Sequence, residues 1–537
     1  MKKIIKKLSF LDYFCVLFIL LFFGLICFVN IFGRQFGSFD IYSDMMYAVN
    51  MSDSCSFFPK DWVFGNQFYF IATPNLAAII HSIIKDAYLS LAIASITMTA
   101  VSLITFFWCF KPFVSIRSLF LGALSFIGGT IFCYSASENV NGLQLFFTQA
   151  SFYSCYLIVI LFSLGIWLRC FKKNKNNYII LIICGICNYC LGMQSLRELL
   201  VLNLPLLIVS LVFSIIRKKR TTALKIINKT NIVAALLLGL NIFGFATMKL
   251  LIKVFGIEQN TILSSVSNNL FENIRNTSHD FLSYSGLILS NSLISIVAFI
   301  FSILSTIAVI VATVHIIKSK TIDAISISVF FCFVSILGVF SAGVLLIKTR
   351  AVYFFVWHLL TSVSLIYLSE HCFHKKKVHL AFTVYIIFLE IVSIGLNFYP
   401  DVQNIIHYNY AYNDLVACLK QKKYVFSDWR VIDLGVVSSY TNCQTVIGTY
   451  DFTGNENKLI NHIEYLYSKQ WYNINNLNES FFVFSDDSWN YINNNTSDAY
   501  QKALKSSLEL VNTIKVYHKN YYVYSPSKEI YTHLVNE

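Results

Sequence analysis

Eleven apolar runs shape most of this 537-residue sequence, near 11–32, 87–110, 118–134, 152–170, 178–194, 199–216, 231–255, 286–316, 322–347, 351–370 and 378–398, with a shorter one at 72–84. A helix that crosses a bilayer needs about 20 predominantly apolar residues, and each full run comes close to that. Only 13% of the residues are charged, about half the share of an ordinary soluble domain, and the mean hydropathy is +0.62. The expected fold class is a polytopic α-helical membrane protein of about 11 spans. The net charge of +13 raises nucleic acid as a partner. The basic residues sit in short clusters between apolar runs, however, where they act as topology signals, so the expected partner is the lipid bilayer and not nucleic acid.

Connections between the runs alternate in character. "MKKIIKK", "KPFVSIR", "RCFKKNKNN", "RKKRTTALKIINK", "KSK" and "HKKK" are basic; "SASENVNGLQ", "MQSLRE" and "IEQNTILSSVSNNLFENIRNTSHD" carry few basic residues. The positive-inside rule therefore places the N-terminus in the cytoplasm and the first connection, residues 33–86, outside. No small-residue cleavage site follows the first run, which reads as a retained span and not a signal peptide.

Most of the fourteen cysteines lie inside apolar runs, where a thiol is a small packed group. Cys184, Cys187 and Cys190 have metal-like spacing, but "IICGICNYCLGM" supplies neither histidine nor a polar shell. Cys418 and Cys443 share a polar region, and nothing in the sequence supports a disulfide between them.

The composition changes after Tyr399-Pro400. Residues 1–399 read as the transmembrane domain and 400–537 as a small α/β domain. There, helix-like segments ("YNDLVACLKQKK", "NKLINHIEYLYSK", "SDAYQKALKSSLELV") alternate with strand-like ones ("YVFSD", "QTVIGTY", "SFFVFS", "KNYYVYS"). An odd number of spans puts this domain on the extracytoplasmic face of a multi-pass cell-membrane protein. Its tryptophans Trp429, Trp471 and Trp489 fit either a core or carbohydrate platforms.

Polar residues with chemical potential gather in the outer connections. The first carries Asp40, Asp44, Asp53 and Asp61 in "FDIYSDMMYAVNMSDSCSFFPKDWVFGN". Asp40 and Asp44 are four apart and share one face of a helical turn, and the aromatics that follow suit the headgroup region. Acids just outside a span are ordinarily solvated, which is the plain alternative for each. The second outer connection carries Glu138, the third Arg197 and Glu198 at the mouth of a span, and a later one Lys348 and Arg350 in "LLIKTRAVYFFVWHLL". Basic residues on the side that should be poor in them either snorkel to lipid phosphates or bind an anionic headgroup. His81 and His358 sit in apolar context and read as packed; Glu390 and Lys249 are the main ionisable residues inside runs.

Taken together, an early outer-loop acid, an aromatic interfacial segment, about eleven spans and an external α/β domain resemble the GT-C superfamily of integral-membrane glycosyltransferases. "SDMMYAVNMSDSCSFFPKDWVFGN" is similar to the first outer loop of bacterial members, "TRAVYFFVW" to the Arg-Tyr mouth of a late span, and "RELLVLNLPLL" to a polar-mouthed helix ending in Pro-Leu-Leu. The spacing of Asp40 and Asp44 departs from the adjacent acidic pair of the family. The resemblance implies inverting transfer of a sugar from a polyprenyl-phosphate donor to a cell-envelope acceptor. It implies Asp44 as general base with Asp40 as helper, Arg350 on the leaving phosphate with Arg197 as second choice, and Glu138 orienting the acceptor. Glu198, Lys348 and Tyr353 complete the expected substrate-binding set. The resemblance leaves room for a divalent metal, which some relatives use, although no residue here requires one. Two readings from other classes stand beside it: a multi-span transporter or lipid flippase, and a non-catalytic membrane assembly partner.

Overall fold

The computed structural model describes residues 10–35, 39–128, 146–148, 151–171, 178–220, 229–260, 265–288, 293–319, 322–373, 376–393, 395, 398–408, 410–452, 461–462, 466–473, 476 and 479–527. Every one of the eleven apolar runs carries a helix. In chain order the helical part comprises α1 (Phe10–Phe32), α2 (Phe39–Ser54), α3 (Thr73–Ile84), α4 (Ala87–Phe110), α5 (Ile116–Gly128), α6 (Ser154–Phe171) and α7 (Tyr178–Gln194). A π-helical turn (Leu199–Asn203) leads into α8 (Leu204–Arg220), followed by α9 (Lys229–Phe255), α10 (Leu270–Tyr284), α11 (Leu293–Ser319) and α12 (Ala324–Leu345). A 3-10 turn (Ala351–Phe354) opens α13 (Val356–Tyr367), and α14 (Lys376–Ser393) ends the bundle. Among the described residues, eight helices are long and apolar enough to cross a membrane. The helices in the runs at 118–134, 178–194 and 378–398 are shorter, and so is α3, whose 12 residues rise only about 18 Å.

After α15 (Tyr399–Tyr408) and α16 (Asn413–Leu419) the chain forms an α/β unit: β2 (Tyr424–Asp428), α17 (Val436–Tyr440), β3 (Val446–Asp451), β4 (Asn461–His462), β5 (Tyr467–Ser468), β6 (Ser480–Ser485), α18 (Asp486–Asn495), α19 (Asp498–Ser506), β7 (Leu508–Val516) and β8 (Lys519–Pro526). A six-stranded sheet runs in the order β4-β3-β2-β6-β8-β7, with β3, β2 and β6 parallel. β2 and β6 are buried along their whole length, as strands covered on both faces must be. The molecule is thus a polytopic membrane protein with a small C-terminal α/β domain.

Two helix-like expectations needed adjustment. "NKLINHIEYLYSK" reads as helical, but 461–462 pair with the end of β3 and Tyr467–Ser468 pair antiparallel with Trp62–Val63 of the first long connection (β1). The helix expected across "SDAYQKALKSSLELV" stops at Ser506, and the rest enters β7. In both, the free edges of neighbouring strands take residues whose local pattern favours a helix.

The sheet is bound to the first connection at several points. Trp62 meets Trp471 edge-on at 5.7 Å between ring centres. The backbone N–H of Ala87 donates to Asn442 Oδ1 (2.7 Å), while Asn442 Nδ2 donates to the Lys85 carbonyl (2.8 Å). Arg34 pairs with Asp86 at 2.6 Å and also donates to the Ser439 carbonyl. A Cβ at Gly435 would lie 1.7 Å from the Tyr42 ring, so only glycine allows this approach. Side chains of α2, including Ile41, Tyr42, Met45 and Tyr47, share one apolar core with Leu434, Val436 and the strands. The face of the bundle that carries the sheet is called the sheet side below.

Candidate active site

Helix α2 lies on the sheet side with Asp40 in its first turn and Asp44 one turn on. The apolar residues around Asp44 are pulled into the core shared with the sheet, and Asp44 goes with them, at 2% exposure. Its Oδ1 accepts a hydrogen bond from the Tyr69 hydroxyl at 2.6 Å. Burial pushes its carboxyl up to about 8; the Tyr69 bond opposes that rise and the nearby Asp40 charge adds to it. Asp40 differs. It is exposed to solvent yet closely surrounded by protein, and so sits in a recess. Burial raises its carboxyl too, and the Arg350 guanidinium is near enough to pull it back down. The structure therefore brings Asp40, Asp44 and Arg350 into one neighbourhood and separates the two acids by environment.

Arg350 caps the 3-10 turn that opens α13, in extended backbone. It is exposed, and its side chain makes no hydrogen bond or ion pair with the described residues. Arg197 is its counterpart on the turn between α7 and the π-helical segment. Its guanidinium carbon lies 4.6 Å from the Tyr153 ring centre and 5.2 Å from those of Tyr156 and Tyr353. One N–H donates to Gln67 Oε1 at 3.3 Å, an oxygen that also accepts from the Tyr156 hydroxyl. Three ring faces fix the guanidinium in place by cation–π attraction and leave its remaining donors for an anion. Tyr153 lies within electrostatic reach of both Arg197 and Arg350, so the two arginines share one neighbourhood.

Arg197 stands at the mouth of a cavity of about 400 Å³ between α7, α9 and α12, which Arg350 and the two acids do not line. Its walls are mostly apolar (Leu199, Leu200, Phe245, Met248, Val339, Leu346), and Arg197, Lys249, Thr349 and Tyr353 add polar groups. Its size falls within the about 300–1,000 Å³ typical of ligand clefts. Lys249, on α9, lies over the Phe245 ring at 5.5 Å and has no acidic partner among the described residues. The sequence flagged it only as an ionisable residue within a run. What it lacked was the register that turns Lys249 toward the cavity and not toward lipid.

The other expected residues fall elsewhere. Tyr353 both lines the cavity and faces Arg197. Lys348 lines a second, polar cavity of about 370 Å³ with Ser267, Glu272, Asn273 and Asn276, and Thr349 borders both cavities. Asp280 stands there too, accepting from the Thr349 hydroxyl at 2.6 Å. Glu198 is fully enclosed, does not line the main cavity, and neither of its oxygens has a hydrogen-bond partner among the described residues. Glu138 lies outside the described residues. Asp53 and Asp61 are away from the acid pair's recess; Asp61 accepts from Gln470 in the sheet domain. Among the described residues no cluster of three or more histidine, cysteine or acidic side chains has the arrangement of a metal site. Cys418 and Cys443 are both free thiols.

No protein-family model matches the chain, and no curated protein resembles it in sequence. Among solved structures it is similar to a crystal structure of the Archaeoglobus fulgidus oligosaccharyltransferase in complex with zinc and sulfate. The TM-score is 0.41 and the identity 12%, over 96% of this chain and 73% of that one.

Proposed function

We propose that the chain is an integral-membrane glycosyltransferase of the GT-C type, moving a sugar from a polyprenyl-phosphate donor to a cell-envelope acceptor at the sheet-side face, which is the outer face of the membrane. The observation that carries this reading is the junction at the mouth: a carboxylate pair beside Arg350, next to an apolar cavity edged by Arg197 and Lys249. An amphipathic donor needs both halves, an apolar groove for its chain and fixed cations for its phosphate. Gathering of ionisable groups at one mouth also favours transfer over transport, since transporters place such residues near the bilayer midplane.

In the proposed reaction an acceptor hydroxyl attacks the anomeric carbon of the donor. The new C–O bond forms as the bond to the phosphate oxygen breaks, the carboxylate pair receives the hydroxyl proton, and polyprenyl phosphate leaves with the bonding electrons. Arg350, Arg197 and Lys249 offset the charge that grows on the leaving oxygen. Within the pair, Asp40 is open to the recess and drawn toward ionisation by Arg350, so it takes the proton. Asp44 keeps its own proton up to about pH 8 and spares Asp40 a second negative neighbour. A supplied polyprenyl-phosphate sugar should be consumed by the wild type; Asp40→Asn and Asp44→Asn should each lower that rate at normal protein level and insertion. Consumption unchanged in both variants sinks the assignment of the pair.

A further inference from the structure

The sheet domain carries a second feature that the mouth does not use. β2 is central, β3 lies on one side of it and β6 on the other, so the strand order reverses between β2 and β6. Loops leaving the carboxyl ends of parallel strands diverge at such a point and leave a crevice, the usual ligand position in open α/β sheets. Asp428 ends β2 and Trp429 and Arg430 follow it; Asp451 ends β3, and Tyr491 stands on α18 after β6.

These residues form a floor and two walls. Arg430 Nη1 donates to both oxygens of the fully buried Asp428, at 3.0 and 2.7 Å, and Nη2 lies 3.7 Å from Asp451. The guanidinium carbon is 3.5 Å from the Tyr491 ring centre and 4.5 Å from that of Trp429. Both rings nevertheless face water, Trp429 at 46% and Tyr491 at 41% exposure. Arg430 Nε and Asp451 Oδ1 have no hydrogen-bond partner among the described residues. By contrast, Trp471 is buried and Trp489 is stacked on Phe484, so of the three tryptophans only Trp429 presents a platform.

The charge narrows the ligand. Two carboxylates face one guanidinium, so a phosphate or carboxylate ligand meets net repulsion. A ligand with flat C–H faces and many hydroxyls suits the exposed rings of Trp429 and Tyr491 with the part-exposed Asp451 carboxylate beside them. The stretch just after Arg430 packs on Tyr42 and Arg34, beside the helix that carries Asp40 and Asp44. We propose that the Trp429–Arg430–Tyr491 crevice binds a neutral or amine-bearing saccharide, the chain that accepts the transferred sugar. Saccharide binding stands on the crevice alone; the acceptor role rests on the function proposed above.

The test uses the full chain in detergent, with linear glucose, galactose and N-acetylglucosamine tetramers as probes and glucose 6-phosphate as the anionic comparison. At least one tetramer should bind, and Trp429→Ala and Tyr491→Ala should each weaken it about tenfold, while Trp429→Phe retains binding and all variants keep the wild-type melting temperature. No binding of any tetramer to the wild type, equal binding by both alanine variants, or preference for the phosphorylated sugar overturns the proposal. A wild type that binds saccharide but consumes no polyprenyl-phosphate sugar removes the glycosyltransferase reading and leaves the crevice. Full transfer by Trp429→Ala with lost saccharide binding removes the acceptor role.

Discussion

At the scale of single residues, two aspartates one turn apart are driven to different protonation by their surroundings. Asp44 is buried under Tyr69 and raised to about 8, while Asp40 opens on a recess shared with Arg350. Below pH 8 Asp44 is neutral; above it a second charge appears beside Asp40 and opposes both proton uptake and phosphate binding. Transfer is therefore expected to fall above about pH 8, and Asp44→Asn should flatten that alkaline limb, read from rate against pH. The same burial sets a sign for stability. A carboxyl whose folded-state value is raised loses stability as pH climbs from its unfolded value, about 3.9, through 8. Asp44→Asn should then melt higher than the wild type at pH 9, with the gap closing toward pH 4. For the cations, Arg197→Ala and Lys249→Ala should each raise the apparent donor KM about tenfold, the scale of one lost charge-assisted contact. The residue types of this mouth were legible in the sequence: acids after the first span and arginines where a span opens. Their different surroundings were not, because these depend on which turn of α2 faces the shared core, and that is decided by Tyr42, Met45 and Tyr47 packing on the sheet.

At the scale of elements, the helices were readable from apolar run length, since lipid leaves a long apolar segment little choice but to be helical. The sheet domain was less so. β2, β6 and β8 coincide with "YVFSD", "SFFVFS" and "KNYYVYS", rich in aromatic and β-branched residues. β5 was hidden because its partner, β1, is some four hundred residues away in the first connection, and no local pattern records a pairing of that reach. This joint between loop and domain has a direct test. Gly435→Ala drives a methyl into the Tyr42 ring and should lower stability by about 1–3 kcal/mol, the usual effect of overpacking. The same change in a Tyr42→Ala background should add little, as a double-mutant cycle on thermal unfolding in detergent would show.

At the scale of the whole molecule, an apolar cavity lined by Phe68 enters the bundle one residue from the Tyr69 that holds Asp44, and the α/β domain closes over the first connection that carries the acid pair. Under the proposed function, a lipid-borne donor would reach the mouth from the bilayer while an acceptor arrives from the aqueous side. Protein purified in mild detergent is expected to carry an anionic polyprenyl lipid, depleted about tenfold in an Arg197→Ala, Lys249→Ala double variant, as lipid mass spectrometry would read. The central claim is most directly tested by supplying a labelled polyprenyl-phosphate sugar to membranes containing the chain and following release of polyprenyl phosphate. Wild-type membranes should release it, and Asp40→Asn membranes with the same amount of inserted protein should be slower by about a hundredfold or more. Equal release from Asp40→Asn, or none from the wild type above membranes lacking the chain, would contradict it.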